Sequence, residues 1–316
     1  MRCAFVIVSS DEGPLLEASL PAALGEGFDA GLVLDNASTD ATAAIAEGHG
    51  VPRLHLVERL PYTVAMNRAL RTVGGDAVAL LQADTFVAPG YLAACRAALE
   101  DPAVGSVAPK LVRAVGAGAA DRLELIDAAG MSFDRRRKNS LVGHGAPATS
   151  YAVAADVFGA DGAAACWRRA ALEDCAVDGA YFDENMPGWG CDADLAWRAQ
   201  LFGWRARYEP AAAVHHIRRY SPTTRAAMPA ADRRTQFRNR LLMVAKNDRP
   251  GALARNAPAL LGYELAAFGY ALVREPELLG GYGEALRRLP DALRQRRLIQ
   301  SRRRVERVPF GLEPPP

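Results

Sequence analysis

Residues 1–24 read MRCAFVIVSSDEGPLLEASLPAAL, and this stretch decides the fold. The apolar run Cys3–Ser9 predicts a buried strand, and Pro14–Leu24 carries leucines at helical spacing, although Pro21 is expected to kink or split that helix. A buried strand followed at once by a helix is typical of the opening unit of a parallel α/β sheet. The run is too short for a signal-peptide core or a membrane helix.

The same alternation of strands and helices continues to residue 82. The predicted elements are the strands Gly31–Asp35, Leu54–Val57 and Ala77–Gln82, the helix Ala41–Glu47 capped by Asp40, and the helix Thr63–Val73 ended by Gly74-Gly75. This alternation predicts a largely parallel sheet, with ligands bound beyond the carboxyl ends of its strands.

The remainder of the chain loses this regular pattern. Residues 105–220 predict a second, mixed half of the same sheet, with an amphipathic helix at Asp192–Phe202. From about residue 221 the pattern is helical, with prolines between the helices. We therefore expect one α/β domain over residues 1–220 and a helical, basic C-terminal extension over residues 221–316.

Composition and motifs exclude several classes of protein. No GxGxxG follows the first strand and no GxxxxGK[ST] occurs, which argues against a dinucleotide dehydrogenase and a P-loop NTPase. The cysteines are odd in number and contain no CxxC pair, so we expect reduced thiols in a cytoplasmic protein: Cys3, Cys95, Cys166, Cys175 and Cys191.

Polar residues follow the second and fourth predicted strands. Asp35, at a strand end, suits the NH and hydroxyl groups of a nucleoside, although ordinary turn chemistry explains the segment equally well. Asp84, just past a buried strand, suits a divalent ion that bridges two phosphates. The alternative for Asp84 is a turn or cap aspartate.

Two further segments carry candidate chemistry. Asp192 and Asp194 stand one residue apart at a helix start, so one can face a cleft as a general base while the other caps the helix or pairs with Arg198. Both acids serving the helix dipole is the alternative. His215 and His216 follow an apolar strand as metal ligands or as a packed pair.

The order of these pieces resembles a known family. The matching stretches are VIVSSDEGPLLEASLPAAL, LVLDNASTDAT, YTVAMNRALRTVGGDAVALLQADTFVAPGYL, FGADGAAACWRRAALEDC and FDENMPGWGCDADLAWRAQLFGWRARYEPAAAVHH. They resemble family 2 inverting glycosyltransferases of the GT-A fold, especially the rhamnosyltransferase-like members. The resemblance covers nearly all of residues 1–220. It implies a GT-A (Rossmann-like) sheet, mixed and mostly parallel, flanked by helices.

The resemblance also implies roles for individual residues. Asp192 would be the general base, Asp84 would bind Mg²⁺ or Mn²⁺, and the family's late histidine ligand falls on His215 or, as the second choice, on His216. The residues expected to bind the donor are Ser9, Glu12, Asp35, Ser38, Asn67, Gln82 and Asp84. Those expected on the acceptor side are Trp189, Gly190 and Asp194.

Two positions depart from the family pattern. Gln82 replaces an acid or asparagine, and Cys191 stands where glutamate is usual. These departures keep open a catalytically silent nucleotide-sugar-binding or membrane scaffold protein of the same fold. A nucleotidyltransferase is disfavoured, because the loop after the first strand, Ser9–Gly13, is acidic and not basic.

The C-terminal region raises the question of a membrane. Pro258–Val273 is mostly apolar, but Glu264 interrupts it and it is shorter than the ~20 residues of a membrane span. Nine arginines, opposed only by Asp291 and Glu306, predict a basic helix on anionic lipid: Arg287, Arg288, Arg294, Arg296, Arg297, Arg302, Arg303, Arg304 and Arg307. A solvated appendage or a dimer contact is the alternative.

Partners follow from these two lines of argument. The resemblance implies a dTDP- or UDP-linked sugar, with rhamnose among the expected sugars, and a glycan, lipid-linked or small-molecule acceptor. Nucleic acid is not expected, because the arginines are not interleaved with aromatic residues. A peripheral contact with the inner face of the plasma membrane is expected at the basic tail, and a homodimer contact is the alternative there.

Overall fold

The computed structural model describes residues 1–221 and 224–316, and a mixed ten-stranded sheet forms the centre of that part. The strands, in chain order, are β1 (Cys3–Ser9), β2 (Ala30–Asn36), β3 (Arg53–Leu56), β4 (Ala77–Gln82), β5 (Thr85–Val87), β6 (Val104–Ala114), β7 (Arg122–Ala128), β8 (Met131–Phe133), β9 (Asn139–Leu141), β10 (Ala155–Val157), β11 (Ala164–Arg168) and β12 (Arg205–His216). Strands β8 and β9 form a separate two-stranded sheet.

The large sheet has the strand order β10-β12-β6-β11-β4-β1-β2-β3, with β5 added to β12 and β7 added to β6. The first four strands pair in parallel, β12 pairs in parallel with β6, and β11 lies antiparallel between β4 and β6. This arrangement confirms the predicted fold class, and the second half of the sheet is mixed where the strand–helix alternation stops.

Helices cover the sheet and form the C-terminal region. They are α1 (Gly13–Leu24), α2 (Thr42–Gly48), α3 (Tyr62–Thr72), α4 (Tyr91–Ala98), α5 (Arg169–Cys175), α6 (Cys191–Leu201), α7 (Ala230–Asn247), α8 (Pro250–Arg255), α9 (Ala257–Arg274) and α10 (Leu279–Ser301). Short 3-10 turns lie at Ala119–Asp121, Arg225–Ala227 and Pro276–Leu278. Pro21 lies inside α1 without splitting it into two helices.

Apolar side chains fill both faces of the central strands. In β1, Val6 and Val8 point to the core shared with α3 and α6, whereas Phe5 and Ile7 point to the core shared with α1 and α4. Successive side chains of a strand alternate between faces, so a strand with a helix layer on each side must be apolar throughout. This explains why β1 and β4 match their predicted limits to the residue.

Three arginines of the C-terminal run contact the α/β domain. Arg294 pairs with Asp178, Arg304 pairs with Asp174 at 2.7 Å, and Arg302 donates to the Ala176 carbonyl at 2.7 Å. Arg294, Arg302 and Arg304 therefore hold the C-terminal segment on the α/β domain. Contact of the arginine run with anionic lipid stays a prediction. Among the residues that the structure describes, no helix is long and apolar enough to cross a bilayer.

The last described residues close the core beneath α6. The Phe310 ring lies 5.8 Å from the Phe158 ring and 5.3 Å from the Trp197 ring, centroid to centroid. The guanidinium carbon of Arg137 lies 4.1 Å from the Phe310 centroid, and the Arg137 Nε donates to Asp248 at 2.6 Å. A segment beyond residue 300 is therefore part of the packing around the helix that begins with Cys191 and Asp192.

Candidate active site

Asp84 stands two residues beyond the end of β4. Its Oδ1 is buried and accepts no hydrogen bond from any residue that the structure describes. Burial raises the pKa of this carboxyl, although the His216 side chain acts in the opposite direction. A buried carboxylate oxygen without a donor is costly unless a ligand satisfies it, so Asp84 is a candidate binding group.

His216 faces Asp84 from the end of β12. Its Nε2 lies 3.7 Å from Asp84 Oδ1, and its Nδ1 lies 2.7 Å from Oδ2 of the buried Asp127. Burial raises the pKa of Asp127, but hydrogen bonds from His144 and His216 and the nearby Arg218 lower it well below its ordinary value. Because an ionised carboxylate only accepts, the Nδ1–H of His216 donates to Asp127, and this contact directs Nε2 towards Asp84.

His215 does not line the cavity that contains Asp84. It precedes His216 in an extended strand, and successive side chains there point to opposite faces of the sheet. The choice of His215 as the ligand is therefore corrected: the structure brings His216, the second choice, to Asp84. Burial, followed by the charge of Arg122, lowers the pKa of His215.

Arg218 links Asp127 to a second acidic residue. Its Nε donates to both carboxylate oxygens of Asp127 at 2.7 and 2.8 Å, and its Nη2 donates to Asp161 Oδ2 at 3.0 Å. The other oxygen of Asp161 accepts the Ala163 backbone N–H at 3.0 Å. A chain of polar contacts therefore runs from Asp84 through His216, Asp127 and Arg218 to Asp161.

Asp192 lies in the first turn of α6, directly opposite the loop at Gly162. Its Oδ2 accepts the Gly162 N–H at 3.0 Å, and its Oδ1 accepts the Ala193 N–H at 2.8 Å. Burial, followed by the negative charge of Asp161, raises the pKa of Asp192 to about 6. A partly buried carboxylate that titrates near neutral pH suits a general base.

These groups surround a cavity of about 290 Å³. Asp84 and His216 form one wall, and Asp161, Gly162 and Asp192 form another. The rest of the lining includes small and aliphatic residues together with the aromatic and cationic residues Tyr62, Trp167, Phe182, Trp189, Arg218, Arg219 and Tyr220. An apolar cleft with a few convergent charged groups is typical of a small-molecule site.

Comparison with known proteins supplies the family. The family described as Glycosyl transferase family 2 matches residues 5–153. Residues 5–153 carry a family 2 glycosyl transferase domain. The chain is also 30% identical, over 228 residues, to a pre-mycofactocin glycosyltransferase of Mycobacterium tuberculosis. That alignment covers 68% of this chain, which spans only 42% of the length of these curated relatives.

Solved structures agree with a GT-A-like fold for this glycosyl transferase domain. S. aureus TarS 1-349 in complex with UDP-GlcNAc matches at a TM-score of 0.61 with 15% identity, over 96% of this chain and 87% of that one. The mannosyltransferase PcManGT from Pyrobaculum calidifontis in complex with GDP-Man and Mn²⁺ matches at 0.53 with 20% identity, over 95% and 85%. GalNAc-T7 with UDP, GalNAc and Mn²⁺ matches at 0.61 with 14% identity, over 78% and 48%.

Several predicted donor residues of the glycosyl transferase domain lie where β1 and β2 end. Asp35 is buried, and it accepts hydrogen bonds from Ser38 N–H at 2.8 Å, Arg53 at 2.7 Å and His55 at 3.0 Å. The Ser9 hydroxyl is buried 2.9 Å from the hydroxyl of Thr42. These contacts organise the loop, so a nucleoside would have to share Asp35 with Arg53 and His55.

Glu12 and Gln82 lie closer to Asp84. Burial, followed by the negative charge of Asp84, raises the pKa of Glu12, which places the two carboxyl groups within electrostatic range of each other. Gln82 lines the cavity, and its Nε2 donates to the Gly162 carbonyl at 3.4 Å. Both residues therefore remain candidates for donor contacts.

The structure does not bring Asn67 to the cavity. Its side chain is fully buried, its Oδ1 accepts the Phe182 N–H at 2.9 Å, and its Nδ2 donates to the Phe182 carbonyl and to Glu184. The prediction that Asn67 holds the diphosphate is corrected, because every polar atom of its side chain is already used. Asn67 instead fixes the segment that leads to Trp189 and Asp192.

The two acids of α6 have separate environments. Asp194 is fully buried and contacts Arg198 at 3.1 Å, Lys246 at 2.9 Å and Asn247 at 2.7 Å. The predicted pairing with Arg198 is confirmed, but placing Asp194 on the acceptor side is corrected, because it faces α7. Trp189 and Gly190 do line the cavity.

The residues present fit a divalent ion that keeps ligands from solvent and substrate. No group of three or more metal-ligating side chains occurs in the two described ranges. Asp84 and His216 nevertheless offer an unpaired carboxylate oxygen and an oriented ring nitrogen, and Asp127 supports the imidazole as carboxylates do at metal sites. Mg²⁺ and Mn²⁺ commonly bind to one or two protein groups plus phosphate oxygens and water.

Sequence reasoning missed Asp127, Asp161 and Arg218. A local signal existed for Asp127, because an aspartate inside the apolar stretch Leu125–Ala129 must find a partner if the strand is buried. That signal indicates a buried polar contact without naming its partner. Asp161 lies within a stretch that supported the family resemblance, but its link to Arg218 joins residues 57 positions apart.

Proposed function

We propose that this chain is an inverting glycosyltransferase that moves a sugar from a nucleotide diphosphate to a hydroxyl acceptor. The observation that carries the proposal is that two groups line one cavity. One is Asp192, whose carboxyl has a pKa of about 6, and the other is the pair Asp84 and His216, which suits a metal ion. The family 2 match supports glycosyl transfer as the reaction class.

Asp192 is the proposed general base. Its ionised carboxylate takes the proton of the acceptor hydroxyl as that oxygen bonds to the anomeric carbon of the donor. The bond from the anomeric carbon to the nucleotide diphosphate breaks with its electron pair on the departing oxygen. One displacement of this kind inverts the anomeric configuration. Burial, followed by the negative charge of Asp161, raises the pKa of Asp192 to about 6, which suits proton transfer near neutral pH.

The diphosphate side of the proposed site consists of Asp84, His216 and Arg219. When bound between Asp84 and His216, Mg²⁺ or Mn²⁺ would neutralise charge on the diphosphate. Arg219, which lines the cavity and lowers the pKa of Glu12, adds a cation on the same side. Cationic groups directed at a leaving group accelerate its departure when they are held in place beforehand.

The acceptor side is proposed to be the aromatic edge formed by Trp189 and Tyr220, whose ring centroids lie 6.1 Å apart. Flat aromatic faces suit the apolar faces of a sugar ring, and Gly190, at φ 80°, lets the chain turn sharply into α6. A dTDP- or UDP-linked donor, rhamnose as the sugar, and a glycan, lipid-linked or small-molecule acceptor belong to this proposal, as do a cytoplasmic location and a homodimer.

A donor-binding and transfer assay tests the proposal. Calorimetry with a panel of dTDP-, UDP- and GDP-sugars, with and without Mn²⁺, identifies the donor, and product analysis by NMR gives the anomeric configuration. Asp84→Asn should lose the Mn²⁺-dependent part of donor binding, because it removes the only negative charge among the proposed metal ligands Asp84 and His216. His215→Ala, which removes an imidazole one residue from His216 but outside the cavity, is the matched control and should bind normally.

The outcomes separate the proposal from its rival. A product with retained configuration would contradict single displacement by Asp192. Donor binding without transfer or hydrolysis in the wild-type chain, for every donor and acceptor offered, would favour the catalytically silent binding protein. Equal Mn²⁺-dependent affinity in Asp84→Asn and wild type would remove Asp84 from the proposed metal site.

A further inference from the structure

Helix α9 presents an apolar face to solvent. Leu261, Leu265, Phe268 and Leu272 follow one another at intervals of four, three and four residues, which places them along one side of the helix. They are 63%, 73%, 45% and 54% exposed. Single exposed leucines are normal on a protein surface, but a row along an 18-residue helix is the pattern of a contact surface.

The flank of α9 beside this row is anchored to the protein. Glu264 pairs with Arg240 of α7, and the Arg240 guanidinium lies 4.4 Å from the Tyr263 ring centroid. Ala271, on the same side, is fully buried. The row is therefore held at the surface by an anchored neighbouring flank, and we call Leu261, Leu265, Phe268 and Leu272 the α9 face.

No charged side chain interrupts the α9 face. Glu264 and Arg274 are the only charged residues within Ala257–Arg274, and Glu264 lies on the anchored side. The acids that follow the helix, Glu275 and Glu277, both pair with Arg233. The negative charges nearest the α9 face are thus each matched by an arginine within the protein.

Cations border the α9 face at both ends. Arg255 precedes the helix and Arg274 ends it, both are exposed, and neither has a carboxylate within ion-pair distance among residues 1–221 and 224–316. The apolar surface extends to α10, where Tyr282 lies 5.8 Å from the Phe268 ring and Leu286, one turn further on, is exposed. Arg287, next to Leu286, is also exposed.

We propose that the α9 face docks on an anionic lipid bilayer, with the helix lying in the plane of the interface. A helix with one apolar side and cations at its edges binds at the boundary between headgroups and acyl chains. Unpaired arginines at that boundary are attracted to anionic headgroups. A second copy of this chain is the poorer occupant, because apposed faces would bring together surfaces that are both bordered by unpaired arginines.

This docking surface differs from the basic tail that the sequence indicated. Arg294, Arg302 and Arg304 of that tail contact the α/β domain, whereas the α9 face lies on a separate helix and is apolar. The inference does not depend on the proposed glycosyl transfer. Its test needs no donor or acceptor, so either idea can fail without the other.

Vesicle flotation with the full chain tests the proposal. We expect binding to vesicles of phosphatidylcholine and phosphatidylglycerol in equal parts, and weak binding to phosphatidylcholine alone. The variant Leu261→Ser, Leu265→Ser, Leu272→Ser should bind at least about tenfold less, because three exposed leucines no longer enter the acyl region. Arg255→Gln with Arg274→Gln should lower binding to the anionic vesicles by about 10-fold to 30-fold at low salt.

A matched control uses exposed valines of the α/β domain. Val57, Val115 and Val153 are 92%, 65% and 62% exposed, so Val57→Ser, Val115→Ser, Val153→Ser removes similar apolar surface elsewhere and should bind like wild type. Circular dichroism checks that both triple variants fold. Equal vesicle binding by the leucine variant and wild type overturns the proposal, as does no binding by wild type. Sedimentation showing a wild-type dimer that the leucine substitutions dissociate would assign the α9 face to a second copy.

Discussion

Replacing Asp192 by asparagine tests the environment of this carboxyl separately from its proposed role in catalysis. Burial, followed by the charge of Asp161, raises its pKa from 3.8 to about 6 in the folded chain. The ionised carboxylate is therefore less favourable in the fold than in the unfolded chain. Asparagine has nearly the same shape and no charge, so it removes this unfavourable term.

The size of the effect follows from the difference in pKa. About two pKa units, at 1.36 kcal/mol each, correspond to about 3 kcal/mol. Below pH 4 both states carry the protonated acid and the term is zero. Between pH 4 and 6 the unfolded chain ionises first, so the wild type loses stability as pH rises, and above pH 6 the full loss of about 3 kcal/mol applies.

Asparagine also loses a hydrogen bond at every pH. Asp192 accepts N–H donors on both oxygens, from Gly162 and Ala193, and asparagine has only one carbonyl oxygen. An unsatisfied buried donor is unfavourable by about 1–3 kcal/mol. The absolute stability of Asp192→Asn thus depends on two opposing effects, but only the charge effect changes with pH.

Urea unfolding of wild type and Asp192→Asn between pH 4 and pH 8 measures that difference. The stability of the variant relative to wild type should rise by about 3 kcal/mol from pH 4 to pH 7. Asp194→Asn is the control, because it breaks a buried contact with Lys246 and Arg198 and should destabilise by about 3–5 kcal/mol at pH 7. A stability difference between Asp192→Asn and wild type that is constant with pH would refute the reasoning.

Three further predictions concern activity, metal binding and the loop before α6. Asp192→Asn should keep donor affinity and lose about 10²–10⁴-fold in transfer rate. Asp161→Asn should move the acidic limb of the pH profile of kcat/KM below pH 6. An unmoved limb would show that the charge of Asp161 does not influence the pKa of the general base. His216→Ala should weaken Mn²⁺ binding, followed by electron paramagnetic resonance, whereas His215→Ala should not, and equal loss in both would indicate a general effect on β12. Asn67→Ala should lower the free energy of unfolding by about 2–3 kcal/mol in urea titrations, because it leaves the buried Phe182 N–H without an acceptor. An unchanged free energy of unfolding would contradict the proposed anchoring role of Asn67.

The parts of the fold with strong local patterns were predictable from the sequence. β1 and β4 are apolar on both faces, so their limits at Cys3–Ser9 and Ala77–Gln82 follow from composition alone. Asp192 and Asp84 also line one cavity. Asp192 lies at a helix start and Asp84 just past a strand end, and the local sequence marks both of these positions. The i to i+4 pairing of Asp194 with Arg198 is likewise a local property.

The choice between neighbouring residues depended on distant contacts. Which of His215 and His216 faces Asp84 is set by the pairing of β12 with β5 and β6, and that pairing shifts register between Glu209 and Ala213. An irregularity of this kind changes which residues point to a given face, and the local sequence does not encode it. The prediction that Asn67 binds the donor failed for a related reason, because its hydrogen-bond partner Phe182 lies 115 positions away in the sequence.

The packing of Phe310 bears on when the cavity can take shape. Trp197, on the helix that begins with Cys191 and Asp192, shares its aromatic contacts with a ring more than one hundred positions later in the chain. Contacts of such long range form late, because the intervening chain must first be ordered. A nascent polypeptide that has not yet reached Phe310 would expose Phe158 and Trp197 and hold Asp192 on a loosely packed helix. The proposed site would then take shape only after synthesis has passed this point, and incomplete chains would be prone to associate through those rings.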